Sequence, residues 1–531
     1  MKHLAGTASL VRFILRRDRL VLPAWVAAFT IVPAATLSAF AELYPTDAAV
    51  ETAARALGGN PAFRAMFGPV FEANLGSLTA WRASIVLVIV GVATLLTVIR
   101  HTRVEEETGR RELLGSTVVG RHAPLTATLM VAFGANALLA MLVASGLAAQ
   151  GQPITGSVAF GLSMAAVGMV FASVGAFAAQ ITEGAGGARA IGLSVLGLAY
   201  VLRAAGDAGG SGLTWLSWLS PIGWAQRMRP FASEQWWVLG LLLGLAGLVT
   251  VAAFSLSARR DIGSGVIAPR PGPAEATGFA GTPLGLAWRI HRGLIVGWAA
   301  GFAVLGSIYG GVAEGVGDLL KDNPELLDVF ERLGGGAGTI IDLYLAGVMG
   351  VLGLIAAAYA VQAALRMRVE EESQRLEPVL ATSVGRKRWM AGHLLLALGG
   401  PALALTAAGL AVGATYGAVS GDLAGQVPRV LSAALAQLPA VWVLAGLAVA
   451  LFGLLPRLSS LAWAGYGAVV FITLIGALLM LGQWFNGISP FNHLPNLPGG
   501  EAAIAPLVGL TGIGVLLVVS GVIGFGRRDI G

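Results

Sequence analysis

The stretch Ile-Val-Leu-Val-Ile-Val-Gly-Val-Ala-Thr-Leu-Leu-Thr-Val-Ile-Arg-His-Thr-Arg-Val-Glu-Glu-Glu (residues 85–107) turns abruptly from apolar to charged sequence. It closes an apolar run at 79–99, and a bilayer-spanning helix takes about 20 such residues. Further runs lie near 21–41, 123–148, 156–180, 188–204 and 236–257. A second set lies near 293–313, 341–365, 390–416, 430–455, 460–481 and 504–525. Of the 531 residues, 56% are hydrophobic and only 12% are Asp, Glu, Lys or Arg, against roughly 25% in soluble domains. That composition excludes a water-soluble enzyme. The expected fold is an all-α polytopic membrane protein with twelve transmembrane helices.

The charged end of the opening stretch recurs. Arg103-Val104-Glu105-Glu106-Glu107 returns as Arg368-Val369-Glu370-Glu371-Glu372, and the match runs on through Arg110/Arg375, Glu112/Glu377, Thr117/Thr382, Gly120/Gly385 and Arg121/Arg386. Ser220-Pro221 is echoed by Ser489-Pro490, and Arg259-Arg260-Asp261-Ile262-Gly263 by Arg527-Arg528-Asp529-Ile530-Gly531. Residues 1–258 and 284–531 therefore read as two six-helix halves joined by a Pro-rich linker, 259–283. An even number of spans per repeat makes the halves parallel.

Charge sets the expected orientation. With both termini cytoplasmic, 25 of the 34 Lys and Arg residues fall inside, while the 28 acidic residues split nearly evenly, as the positive-inside rule requires. The expected location is the plasma membrane, with 43–76 and 314–340 as long outside segments. Residues 1–22, interrupted by Arg12, Arg16, Arg17 and Arg19, read as an amphipathic segment on the cytoplasmic face. The Trp-rich stretch around Trp215, Trp218, Trp224, Trp236 and Trp237 reads as an interfacial belt.

Several chemistries are excluded. There is no cysteine, the six histidines stand far apart, and neither a P-loop nor HExxH occurs, so no metal site or nucleotide cradle is legible. A pI near 10 reflects loop arginines answering to topology, not nucleic-acid binding. The spans carry almost no charge, whereas ion-coupled carriers usually keep one inside the membrane. Catalytic residues are not expected.

The informative feature is the doubled loop after the second span of each half. One copy holds Arg103, Glu105, Glu106, Glu107, Glu112, Leu113, Leu114 and Arg121; the other holds Arg368, Glu370, Glu371, Glu372, Glu377, Leu380 and Arg386. A single such loop reads as a solvated elbow. Retention in both halves points instead to a partner with two equivalent docking sites. The carboxylates are expected to be exposed, so that their removal costs little stability.

The run 371–386 (Glu-Glu-Ser-Gln-Arg-Leu-Glu-Pro-Val-Leu-Ala-Thr-Ser-Val-Gly-Arg) resembles the motif of drug-exporting ABC permeases of the type-two class. Residues 106–114 match it less fully, with Arg111 where leucine is usual. The fused double length is similar to actinobacterial permeases described as polyketide-antibiotic exporters. That resemblance implies that the doubled loops are coupling helices on a separate ATPase subunit, in two copies, which would carry ATP and Mg. It also implies efflux of hydrophobic or amphiphilic small molecules and antibiotic resistance. Residues expected along the pathway, in contact with cargo or membrane lipid, are Trp81, Arg82, Tyr200, Asp342, Tyr344, Trp463 and Tyr466. The rival reading is an ion-coupled multidrug carrier of the major-facilitator type, which Gly109-Arg110-Arg111 resembles faintly.

Overall fold

The computed structural model describes the chain except residues 1, 60, 112–117, 210–211, 262, 268–274, 276–277, 322–336, 476–483, 485–486, 502 and 530–531. Every regular element among the described residues is helical, and eleven helices are long and apolar enough to cross a membrane. The protein is a polytopic all-α membrane protein. It divides into two compact units, Met1–Gly272 and Pro273–Gly531.

In the first unit α1 (Thr7–Arg17) precedes the span α2 (Val21–Leu43), and α3 (Asp47–Gly59), α4 (Pro61–Phe67) and α5 (Leu75–Arg82) follow. Span α6 (Ile85–His101) ends at Thr102, where the backbone turns before the five-residue α7 (Arg103–Glu107). The antiparallel spans α8 (Ala123–Ala149), α9 (Ile154–Ile181) and α10 (Ala185–Ala208) come next. Short α11 (Thr214–Ser217) and α12 (Pro221–Arg227) then lead into span α13 (Trp236–Arg259). Helix α9 is the centre, packed against α6, α8, α10 and α13. Small residues make that possible. A Cβ at Gly161 would stand 2.4 Å from the Ala140 carbonyl oxygen, and one at Gly168 would overlap the Asn136 side chain. In lipid, where apolar side chains gain nothing by leaving solvent, such close backbone packing holds helices together.

The second unit comprises α14 (Pro283–Lys321), α15 (Ala337–Glu372), α16 (Leu376–Leu380), α17 (Arg386–Ser420), α18 (Leu423–Leu435), α19 (Leu438–Leu454), α20 (Leu461–Ile475) and α21 (Ile504–Arg527). Helix α15 runs unbroken from membrane into the acidic motif, unlike α6. Glycines again set the closest approach. Gly446 and Gly453 of α19 face Gly514 and Gly521 of α21, and a Cβ on Gly453 would meet the Gly521 carbonyl oxygen.

Some boundaries differ from the sequence expectation, and one cannot be followed to its end among the described residues. The run at 293–313 is the middle of a 39-residue helix, because charged residues extend a helix as readily as apolar ones once it leaves the membrane. That helix runs to Lys321, so the expected outside segment 314–340 begins as helix. The run at 430–455 is two helices broken at Ala436–Gln437, just before Pro439, which has no N–H to continue the ladder. The span expected at 460–481 is described only as the 15-residue α20, and its remainder lies outside the described residues.

Candidate functional site

The two repeated motifs meet. In the first unit, Arg103 is fully buried. Its Nε donates to the Glu183 carbonyl at 2.6 Å, its Nη1 to Glu106 Oε2 at 2.5 Å and to the Ser264 carbonyl, and its Nη2 to the Gly263 carbonyl. Arg260, from the motif after the sixth span, grips the same carboxylate with both terminal nitrogens, at 2.9 and 2.8 Å. Its Nε donates to Gln180 Oε1 at 2.8 Å. Arg111 makes a third ion pair with Glu106. One carboxylate thus sits among three guanidinium groups with only 1% of its side chain exposed.

The three consecutive glutamates have three separate tasks. Glu105 pairs with Arg17 at 2.5 Å, tying the N-terminal helix to the loop, and stands 3.5 Å from Arg110. Glu107 accepts from the Ala185 N–H at 3.1 Å, placing negative charge at the N-terminus of α10, where the helix dipole favours it. Nearby, Asp18 bonds His101 at 2.6 Å inside the protein. Arg121 Nη2 donates to the Ser257 and Arg260 carbonyls at 3.2 and 3.0 Å, satisfying free acceptors at the end of α13.

Burial without enough counter-charge shows in the arginines. Arg111 is pushed down to about 10, by desolvation first and then by repulsion from Arg260, Arg103 and Arg121. Arg260 is lowered by burial. Both remain cations at neutral pH. His122 is lowered by burial and then by His3, Arg121 and Arg111.

The second unit builds the same latch with fewer parts. Arg528 Nη2 meets Glu371 Oε2 at 2.7 Å, and Arg386 Nη1 donates to the Arg528 carbonyl at 2.7 Å. These partners are the repeat equivalents of Arg260, Glu106 and Arg121. The Arg528 guanidinium also lies over Phe452 and Phe525, at 4.8 and 5.2 Å. Arg368 reaches Glu372 at 2.8 Å and Glu371 at 3.6 Å. Glu370 pairs with Arg366 at 3.1 Å and stands 3.8 Å from Arg375. In each unit the loop after the second span is bolted to the end of the sixth.

This corrects the expected exposure of the acidic run. Glu106 and Glu370 are buried, because arginines from the same loop and from neighbouring segments draw the carboxylates inward. What remains outside is a rim of Glu107, Arg110, Glu372, Arg375 and Glu377, with Leu380 half-buried against the core of the second unit. Glu112, Leu113 and Leu114 lie outside the described residues.

The expected pathway residues fall in both units, Trp81, Arg82 and Tyr200 in the first and Asp342, Tyr344, Trp463 and Tyr466 in the second. Trp81 and Arg82 belong to α5, separated from span α6 by the turn at Ala83–Ser84. The buried Trp81 ring donates to the Gly68 carbonyl at 2.8 Å, and Arg82 stacks over Phe67 at 4.5 Å. Tyr200 and Tyr344 donate to the Met66 and Tyr309 carbonyls, at 3.4 and 3.1 Å. Asp342 pairs with Arg429 at 2.6 Å. Trp463, which is exposed, packs edge-on to Tyr466. Sequence reasoning missed Arg260 and Arg528 as site residues, although their motif was visible as a second repeat.

Long apolar helices with a charged latch built twice define a polytopic membrane protein with an internal repeat. Residues 281–526 match the family model described as "Multidrug efflux system permease Rv1217c, C-terminal domain". Over 527 residues the chain is 44% identical to the multidrug efflux system permease protein Rv1217c of Mycobacterium tuberculosis (strain ATCC 25618 / H37Rv), covering 99% of this chain and 95% of that protein. The chain belongs to that efflux permease family.

Proposed function

We propose that this chain is the permease of an ATP-driven exporter of the type-two ABC class, moving hydrophobic or amphiphilic small molecules out of the cell. The observation that carries the proposal is the doubled latch, Glu106 with Arg260 and Glu371 with Arg528. A partner pressing on the exposed rim of either loop pushes on a rigid ion-paired joint, and the joint passes the displacement to the end of the sixth span. Packed, bistable elements convert small local shifts into helix movements. Two latches call for two ATPase subunits, which would hold ATP and Mg. The termini and both latches lie in the cytoplasm.

Cargo selectivity follows from the wall. Spans rich in Ala, Leu, Val and Gly recognise cargo by apolar burial, at roughly 25 cal/mol per Å², which favours hydrophobic compounds and discriminates shape weakly. The test compares cells with and without this gene and its ATPase across a panel of hydrophobic antibiotics and small hydrophilic solutes. Lower accumulation of hydrophobic compounds, only when both proteins are present, is the expected result. Unchanged accumulation of every hydrophobic compound, with ATP-dependent uptake of a sugar or amino acid, overturns it.

A further inference from the structure

We infer that the first unit carries a binding pocket for the phosphate head group of an anionic phospholipid, on the face opposite its latch. A cavity of about 380 Å³ opens there, lined by Arg64, Asp207, Trp218, Arg227, Arg229 and Trp237 among others. Trp237 stands in the first turn of α13 and Arg260 just past its last; a 24-residue helix separates its ends by about 36 Å. The pocket and the latch therefore lie on opposite sides of the membrane.

Charge identifies the ligand. The lining holds three guanidinium groups and one carboxylate, and the carboxylate is already occupied. Asp207 accepts from Arg227 at 3.1 Å and from the Ser217 hydroxyl at 2.7 Å, with the buried Arg203 behind it at 3.9 Å. Among the described residues, Arg64 and Arg229 have no acidic partner, and the buried Arg64 Nε has no hydrogen-bond partner at all. Arg64 is half-buried and Arg229 exposed; a buried N–H left without an acceptor is costly, and a guanidinium's planar fork fits phosphate oxygens in pairs. A choline head group would bring its own cation against these arginines.

Position identifies the source. Trp218 and Trp237, both lining the cavity, stack at 5.7 Å, and their near neighbours in sequence Trp215, Leu219 and Trp236 are exposed. That is the aromatic belt of a lipid–water boundary, along which acyl chains lie while the head group enters the pocket. The loop supplying Arg229 is held in an unfavourable shape. Arg229, Phe231 and Ser233 all have left-handed φ, at 52°, 62° and 55°. Backbone strain of this kind persists only where the surroundings fix it. Here Phe231 is wedged against Gly76 and Gly156, and its carbonyl accepts from Asn74 at 2.8 Å.

The test is native mass spectrometry of the full chain in detergent, titrated with phosphatidylglycerol, phosphatidylcholine, glycerol 3-phosphate or inorganic phosphate. One phosphatidylglycerol should be retained at least tenfold more tightly than phosphatidylcholine. Because charge-assisted hydrogen bonds are the strong ones, the Arg64→Gln/Arg229→Gln variant should lose that preference. Arg12→Gln, an exposed change elsewhere, should keep it. If the double variant fails to fold, the exposed Arg229→Gln alone is read, with about a tenfold loss expected. Equal retention of both lipids, or retention indifferent to Arg229, overturns the site. Competition by glycerol 3-phosphate or inorganic phosphate at the lipid's own concentration overturns the lipid as its occupant.

Discussion

Replacing Glu106 by Gln keeps the side-chain volume and removes one negative charge from among Arg103, Arg111 and Arg260. The Arg103 and Arg260 side chains are 0% and 5% exposed, so neither can turn to water. Leaving buried charge uncompensated costs about 3–5 kcal/mol. Glu371→Gln removes the equivalent carboxylate, but Arg528 and Glu371 are 16% and 13% exposed, and water replaces part of the loss. About 1.5 kcal/mol is expected there, the low end for a charged hydrogen bond. Glu372, with 59% of its side chain exposed, should cost about 0–1 kcal/mol. Thermal unfolding in detergent, followed by tryptophan fluorescence at one fixed scan rate, ranks the three. At about 2–4 °C per kcal/mol, Glu106→Gln should lower Tm by of order 10 °C and Glu372→Gln by almost nothing. A Glu106→Gln variant as stable as Glu372→Gln would refute the buried latch.

Arg121→Gln and Arg386→Gln each remove a donor from the last carbonyls of a sixth span, and each should cost about 1–2 kcal/mol, read in the same unfolding assay. Gly453→Leu should destabilise far more than Gly467→Leu, because a Cβ at 453 meets backbone whereas one at 467 meets nothing within 4 Å; expression and size-exclusion profile report it. His122 is held below its ordinary value, so the stability it contributes is complete above about pH 6.5 and is lost as pH falls further. His122→Gln should therefore flatten the acid side of a Tm-against-pH curve. If both termini are cytoplasmic, as proposed, a cysteine at Ser373 should resist an impermeant maleimide added outside, and one at Thr52 should react; the reverse pattern inverts the topology.

Much of the fold was legible because membrane crossing imposes a simple rule on sequence. Runs such as 123–148 and 156–180 became helices within a few residues of their expected ends. Boundaries failed where polar sequence prolongs a helix, as at Pro283–Lys321, or where a proline splits a run, as before Pro439. The site was half legible. Both repeated motifs could be seen, but a salt bridge between segments some 150 residues apart, such as Glu106 with Arg260, leaves no mark on local periodicity. Burial of the carboxylates was invisible for the same reason. Trp81, Tyr200 and Tyr344 look like lining residues by type, yet each spends its polar atom on a backbone carbonyl.

The central claim is that ATP hydrolysis outside this chain drives cargo through it by way of the latches. Inside-out vesicles containing the permease and its ATPase, loaded with a hydrophobic fluorescent dye outside and treated with a protonophore, test it directly. Dye uptake should start on adding ATP, persist without a proton gradient and fall sharply in Arg528→Gln while the permease remains in the membrane. Uptake by the permease alone, driven by a proton gradient and indifferent to ATP, would contradict the account.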